Sequence, residues 1–388
     1  MLQHKLKRLL PAATLLLAAA ASAQEPIKVG MVVEMSGPFA DIGRQIMNGA
    51  RAYVKAHGDL VAGRKVELVV KDTTGMAPEV AKRQAQELIT NDKVDFLAGF
   101  GLTPNALSVA PLATEAKKPM VIMNAATSVI TTRSPYIVRV SMTLPQVTAP
   151  LATWALNNGI KQVYTLVADY GPGIDAETQF KKTFTAGGGQ IVDSVRTPPN
   201  NPEFAAFLQR IKDARPQALF IFLPQGTQPV AVMKGFAERE LDKAGVKLIA
   251  TGDVTEDSLL EAMGDAPLGV VTTHQYSVAH DSAQNRAFLK AYADIAGGRP
   301  NFMAVGGWDG MAAIYEVIKR LGGKIDGDKA MEVLKGMKID SPRGPIMIDP
   351  ATRDVVQTIY VRRVERMKDG KLYNVEFDQV KDVKDPGK

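Results

Sequence analysis

Cysteine is absent from the 388-residue chain, and histidine occurs only four times. Without Cys there is no disulfide, no thiolate nucleophile, no Cys-based metal cluster and no cysteine-linked lipid anchor, so the fold has to be held by packing. Beyond the N-terminal segment the histidines are His57, His274 and His280, a poor supply for a nucleophile relay or a metal site. Neither G-x-S-x-G nor H-E-x-x-H occurs. An excess of one charge is missing too: 47 basic residues face 41 acidic ones without clustering, which excludes a nucleic-acid footprint. These absences predict no catalytic residue, no metal and no cofactor. The 46% hydrophobic content is ordinary for a globular chain long enough for two cored domains.

The N-terminus departs from that average. Lys5, Lys7 and Arg8 precede an apolar run from Leu9 to Ala21, interrupted by Pro11, and Ala21-Ser22-Ala23 offers the small residues a signal peptidase reads. The run is too short to span a membrane, and no later run is apolar enough. Residues 1–23 are expected to be a signal peptide and the mature, exported chain to begin at Gln24. Losing those three basic residues lowers the formal charge from +6 to +3.

From residue 27 two periodicities alternate. IKVGMVVEM (27–35), KVELVVKD (65–72), VDFLAGF and PMVIMN are continuous apolar runs that read as buried strands. Between them, residues 43–57 place Ile46, Ala50 and Val54 on one helical face. Further helices are expected at 78–91, where Pro78 suits a first turn, and at 103–117. Such alternation predicts a parallel sheet covered on both faces. The pattern then restarts, with helices at 146–158, 174–186, 204–212 and 227–240 around the strands VYTLVAD, QIVDSV, ALFIFLP and VKLIATG. VDFLAGFGLTPN, helix, PMVIMNAAT and ALFIFLPQGTQP, helix, VKLIATGDVT share one architectural order, a weak internal repeat. After Gly269 come VVTTHQY, helices at 282–296 and 308–321, and strand-like IMI and VVQTIYVRRVE. The expected fold is α/β: two Rossmann-like lobes with parallel central sheets. Residues 24–142 plus 274–344 form one lobe and 143–273 plus 345–388 the other, with several crossovers acting as a hinge.

Ligands of open parallel sheets bind beyond the carboxyl ends of the strands, so the turns there hold the candidate residues. In SGPFADIG, Phe39 either faces a ligand or caps the core. In GFGLTPN, Thr103 and Pro104 read as an N-cap and first helical residue. That helix start suits a carboxylate or phosphate, or Thr103 does no more than cap it. Ala125-Ala126-Thr127 forms a neighbouring rim of small residues that permits close approach. Tyr170, Gln225 and Asp253 lie just past strands of the second lobe. Asp253 either accepts an ammonium or, with Thr255, caps a helix reaching Met263, with Glu256-Asp257 in its solvated first turn. Donors in one lobe facing an acceptor in the other would select a zwitterion. Gly171, Gly173 and Ala176, with Asp193 beyond, also fit the dinucleotide fingerprint, but Pro172 removes a loop N–H and exported proteins rarely meet a nicotinamide pool.

SGPFADIGRQIMNGA, KDTTGMAPEVAKRQAQELI, the AAT after the fourth strand, DYGPG and Gly252-Asp253 together resemble the periplasmic substrate-binding proteins of ABC importers, specifically the leucine/isoleucine/valine-binding group with its type I fold. The resemblance covers essentially the whole mature chain. It implies that Thr103 and Thr127 bind a ligand carboxylate, that the Ala125 carbonyl receives an ammonium, and that Tyr170 closes over the ligand. It also implies that Asp253 meets the ammonium where the branched-chain binders usually carry Glu. The family's second-lobe tyrosine is replaced near its place by Gln225, and the branched-chain binders' disulfide is missing. Related members bind aromatic acids, amides or urea. The resemblance thus implies a periplasmic, non-enzymatic, monomeric carrier of a small carboxylate, an apolar amino acid first and an aromatic acid, amide or urea second. It would serve an inner-membrane ABC permease or, alternatively, act as a ligand-sensing receptor module.

Overall fold

A computed structural model describes residues 25–200 and 202–387; the expected signal peptide lies outside them. Strands and helices alternate from the start: β1 (Ile27–Val33), α1 (Ala40–His57), β2 (Leu60–Val61), β3 (Arg64–Asp72), α2 (Pro78–Thr90), β4 (Phe96–Gly99), α3 (Thr103–Glu115), β5 (Met120–Ile122), a 3-10 turn (Ser128–Arg133) and β6 (Ile137–Arg139). Their six strands form one sheet in the order β2-β3-β1-β4-β5-β6. All pairings are parallel except the β2–β3 hairpin. The apolar runs are buried for the reason the pattern implied: Val29, Met31, Phe96 and Val121 have no exposed surface because helices cover both faces.

The second series is α4 (Leu144–Asn157), β7 (Gln162–Ala168), α5 (Gly171–Ala186), β8 (Gln190–Thr197), α6 (Phe204–Ala214), β9 (Ala218–Phe222), α7 (Thr227–Glu238), β10 (Lys247–Thr251), α8 (Leu260–Met263) and β11 (Val271–His274). The chain then returns to the first sheet with α9 (Ala283–Ala293), α10 (Phe302–Arg320) and α11 (Gly327–Leu334), and finishes in β12 (Lys338–Ser341), β13 (Gly344–Ile348), β14 (Val355–Arg366) and β15 (Leu372–Val383). The second sheet runs β12-β13-β14-β11-β10-β9-β7-β8, with β15 on β14. It is parallel through β8, β7, β9, β10 and β11 and antiparallel beyond. Two lobes, each with a parallel-dominated sheet and helices, are the α/β architecture that the alternation predicts, and they match the type I periplasmic binding fold that the resemblance implies. The sequence patterns did not separate β6, β12 and β15 as strands, because each is either very short or heavily charged.

Helix α10 packs directly on α1, and glycine makes the approach possible. A Cβ on Gly49 would run into the Ala304 carbonyl, and one on Gly307 into the Ile46 carbonyl. The crossovers between lobes are pinned by buried guanidinium groups. Arg343 donates to the carbonyls of Ser141 (3.0 Å) and Val140 and pairs with Asp309 (3.1 Å). Arg362 donates to the Tyr276 carbonyl and to Thr272 Oγ1. Contacts also run directly between the lobes: the Ser128 N–H donates to Asp175 Oδ2 at 2.9 Å, and Ser258 Oγ lies 3.3 Å from Asp41 Oδ2.

One reading of the sequence is corrected here. Glu256 and Asp257 are not a solvated first helical turn; they are 2% and 3% exposed, and α8 begins only at Leu260. Glu256 Oε2 accepts from the Ser258 N–H (2.9 Å), and Asp257 accepts from Asn374 Nδ2 (2.9 Å) and the Val278 N–H (3.2 Å). The turn is buried because it is packed under β15 and the β11–α9 crossover, which local sequence does not reveal. Burial, reinforced by the Asp257 charge, pushes the Glu256 carboxyl up to about 8.

Gly49→Ala is expected to lower stability by about 1–3 kcal/mol through overpacking of α1 on α10, read as a reduced urea midpoint. Because folding raises the Glu256 carboxyl from 4.5 to about 8, its contribution is present below pH 4.5 and lost as pH rises through 8. Glu256→Gln should therefore melt at a higher temperature than wild type at pH 8.5 and show no such gain at pH 4.5.

Candidate functional site

The carboxyl ends of the two parallel sheets face each other, and the turns beyond them close on a small, tight cavity. Leu102, Thr103, Asn124 and Ala126 line it from the first lobe, and Tyr170, Phe222, Gln225 and Asp253 from the second. A wider hollow lined by Trp154, Phe236 and Leu248 opens at the amino ends of β10 and β11, away from the side where such sheets bind ligands.

On the first-lobe side, Thr103 is not an N-cap. Leu102 holds that position, with no side-chain cap, and Thr103 is the first helical residue. Its hydroxyl is instead 2.9 Å from Thr127 Oγ1, both buried. Two hydroxyls that satisfy one another in this way keep further donor and acceptor capacity for a ligand. The Ala125-Ala126-Thr127 rim follows β5, and its carbonyls are all engaged. Arg139 Nη1 donates to Ala125 O (3.0 Å), Leu144 N to Ala126 O (3.0 Å) and Arg139 Nη2 to Thr127 O (2.8 Å). Behind the Gly101–Leu102 turn that leads into α3 sits Glu34, wholly buried just after β1, accepting from Asn105 Nδ2 at 2.9 Å. Burial pushes its carboxyl up to about 7.

On the second-lobe side, Tyr170 precedes α5 and its ring stacks with Phe222, centroids 6.1 Å apart at 24°. Burial and the nearby Asp253 charge hold its hydroxyl well above the usual range, so it stays a donor. Gly171 follows at the start of α5, and a Cβ there would lie 2.9 Å from Thr127 Oγ1, so the missing side chain lets the lobes meet. Asp253 caps nothing: no helix starts before Leu260. Its Oδ1 accepts from Gln225 Nε2 at 2.6 Å, and its Oδ2 has no hydrogen-bond partner. His274 Nε2 is 3.5 Å from Oδ2, and burial pushes this imidazole down to about 4, which leaves it neutral. Thr255 is likewise no cap and donates to Asn374 Oδ1 at 2.7 Å.

Of the residues singled out in the sequence, Thr103, Tyr170, Gln225 and Asp253 meet at one cavity, and Ala125 and Thr127 adjoin it through Ala126 and Thr103. Phe39 is buried in the core instead. Sequence reasoning missed Arg139, Glu34 and Phe222 and left His274 unplaced. A signal existed for Arg139: a charged residue between Val138 and Val140 in an apolar run is rarely buried unless it is paired. Among the described residues no cluster of His, Cys, Asp and Glu could hold a metal, and no helix is long and apolar enough to cross a membrane.

The family model for periplasmic binding proteins matches residues 26–371. A Leu/Ile/Val-binding protein homologue of Brucella melitensis is 44% identical over 374 residues, 96% of each chain. A solute-binding protein of an ABC transporter from Rhodopseudomonas palustris BisB5, solved with 3,4-dihydroxybenzoic acid, is 56% identical with a TM-score of 0.91, over 93% of this chain and 99% of that one. A solute-binding protein from R. palustris HaA2, solved with p-hydroxybenzoic acid, is 46% identical with a TM-score of 0.91 over the same shares. The chain belongs to the periplasmic binding proteins, as a non-enzymatic solute-binding component of an ABC transporter.

Proposed function

We propose that this protein captures a ring-hydroxylated aromatic carboxylate in the cleft and delivers it, as a monomer, to an inner-membrane permease. The observation that carries this reading is the buried Asp253, whose Oδ2 accepts no hydrogen bond and has only the neutral His274 Nε2 near it at 3.5 Å, and which lines the same cavity as Thr103. A ligand with a carboxylate at one end and an uncharged donor at the other satisfies both. Thr103 and Thr127, at the positive end of α3, hold the carboxylate. The stacked Tyr170 and Phe222 flank a flat apolar ring, and Asp253, held by Gln225, accepts the ring hydroxyl. Each charge-assisted hydrogen bond is worth about 1.5–3 kcal/mol, and ring burial supplies the rest. The dihydroxybenzoate and p-hydroxybenzoate found in the two R. palustris relatives support the same ligand class. An apolar amino acid is the second reading, supported by the Brucella relative and by the threonine pair; in it, Asp253 meets the ammonium.

Ligand binding that bridges the lobes stabilises the native state, so a thermal-shift series separates the two readings. 4-Hydroxybenzoate is expected to raise the melting temperature and leucine to leave it unchanged; the reverse result overturns the proposal. Asp253→Ala is expected to weaken 4-hydroxybenzoate about 10- to 100-fold while leaving benzoate within about twofold, because benzoate has no hydroxyl to lose.

A further inference from the structure

The turn between β10 and α8 meets the start of α1 across the cleft at Ser258. Its Oγ lies 2.5 Å from Glu256 Oε2 in its own lobe and 3.3 Å from Asp41 Oδ2 of the other lobe. A serine hydroxyl has one proton to donate, and an ionised carboxylate has none. Two oxygen–oxygen contacts at hydrogen-bond distance therefore need two protons, and with both carboxylates ionised only one is present. The 2.5 Å contact is the length of a charge-assisted O–H···O bond, so it claims that proton. Ser258 Oγ is then left facing Asp41 with lone pairs alone. A second proton completes the chain: Glu256 donates to Ser258 Oγ, and the serine hydroxyl donates to Asp41 Oδ2. Asp41 is only half-buried and pairs with Arg44 at 3.6 Å, which suits it to be the acceptor. Glu256 is buried, and its Oε1 has no hydrogen-bond partner.

The groups around Glu256 come from both lobes. Asp257 follows it in the turn, Asp41 faces the same serine from α1, and Asn301 caps α10 beside it. Tyr276 of the β11–α9 crossover and Tyr292 of α9 are held protonated by burial. Arg362 of β14 and Arg299 are the nearby cations, but Arg362 donates to the Tyr276 carbonyl and Arg299 to the Leu372 carbonyl. Burial and the Asp257 charge outweigh them and hold the Glu256 carboxyl at about 8.

We propose that Glu256, Ser258 and Asp41 form a proton-dependent latch that ties the two lobes together in the closed cleft. Opening parts Asp41 from Ser258 and removes the need for the second proton, so closure takes a proton up. The latch is therefore complete at low pH and is lost as pH rises through about 8. Capture that requires closure weakens in alkali, whichever ligand fills the cavity.

The test is isothermal titration of the mature protein with 4-hydroxybenzoate, comparing wild type with Ser258→Ala, Asp41→Asn and Glu256→Gln. Wild-type affinity should fall about fivefold from pH 6.5 to pH 8.5, with proton uptake on binding read from buffers of different ionisation enthalpy. Ser258→Ala should lose both effects. So should Asp41→Asn, whose amide supplies the missing donor from the other lobe without touching Glu256. Glu256→Gln should be equally flat, since its amide replaces the protonated carboxyl. Ionisation of the ligand itself is common to all four proteins and cancels in the comparison. A Glu256 that serves packing alone leaves the pH slopes of Ser258→Ala and Asp41→Asn as in wild type. That result, or equal wild-type affinity at both pH values, overturns the latch. Binding of leucine in place of 4-hydroxybenzoate overturns the ligand reading alone, and the same series on leucine then decides the latch. Should neither bind, X-ray scattering from the ligand-free protein decides. Wild type should be more compact at the lower pH and Asp41→Asn equally compact at both; an unchanged wild-type radius of gyration refutes the latch.

Discussion

The ion pair of Arg139 with Asp354 joins three parts of the molecule that must keep register. Asp354 lies just before β14, the strand that extends the second sheet, and Arg139 ends the first sheet. The Arg139 N–H also donates to the Arg353 carbonyl (3.0 Å), and Thr131 Oγ1 reaches Asp354 Oδ2 (3.2 Å). A buried charge left without its partner is strongly destabilising, so this geometry is held within narrow bounds. What it holds is the backbone of the ligand rim and the point where the chain crosses between lobes.

The same constraint recurs across the cleft. Turns at the carboxyl ends of buried strands carry polar groups that lose water when the lobes meet, and each then needs another partner. Thr103 finds Thr127, Gln225 finds Asp253, Asn124 Nδ2 finds the Gly101 carbonyl, and the Ser128 N–H finds Asp175. Asp253 Oδ2 is left over, at the cavity wall. Asn124 Oδ1, which belongs to the same lining, also lacks a protein partner, so the cavity offers a ligand acceptors from both lobes. Neutral His274 beside it adds no competing positive charge.

Much of this arrangement was legible in the sequence. Apolar runs of strand length between amphipathic segments announced both sheets, and the rule that ligands bind beyond strand ends picked out Thr103, Tyr170, Gln225 and Asp253. The errors have a common cause. Thr103 was read as a cap and Glu256-Asp257 as solvated because caps and first turns are local preferences, and both were overridden by distant neighbours. Thr103 is bound to a residue of the next strand's turn, and Asp257 to Asn374, 117 positions away. Arg139 was passed over although its place between valines was visible, since nothing local named Asp354 as its partner 215 residues later.

The sequence by itself determined the alternating α/β order and the turns that face the cleft. Those properties follow from periodicity and residue type, which act over a few residues. The tertiary structure alone decided which hydroxyls, carbonyls and carboxylates became partners and which stayed open. Hydrogen-bond strength depends on how completely water is removed, and here water is removed only when two lobes far apart in the chain close over the same space.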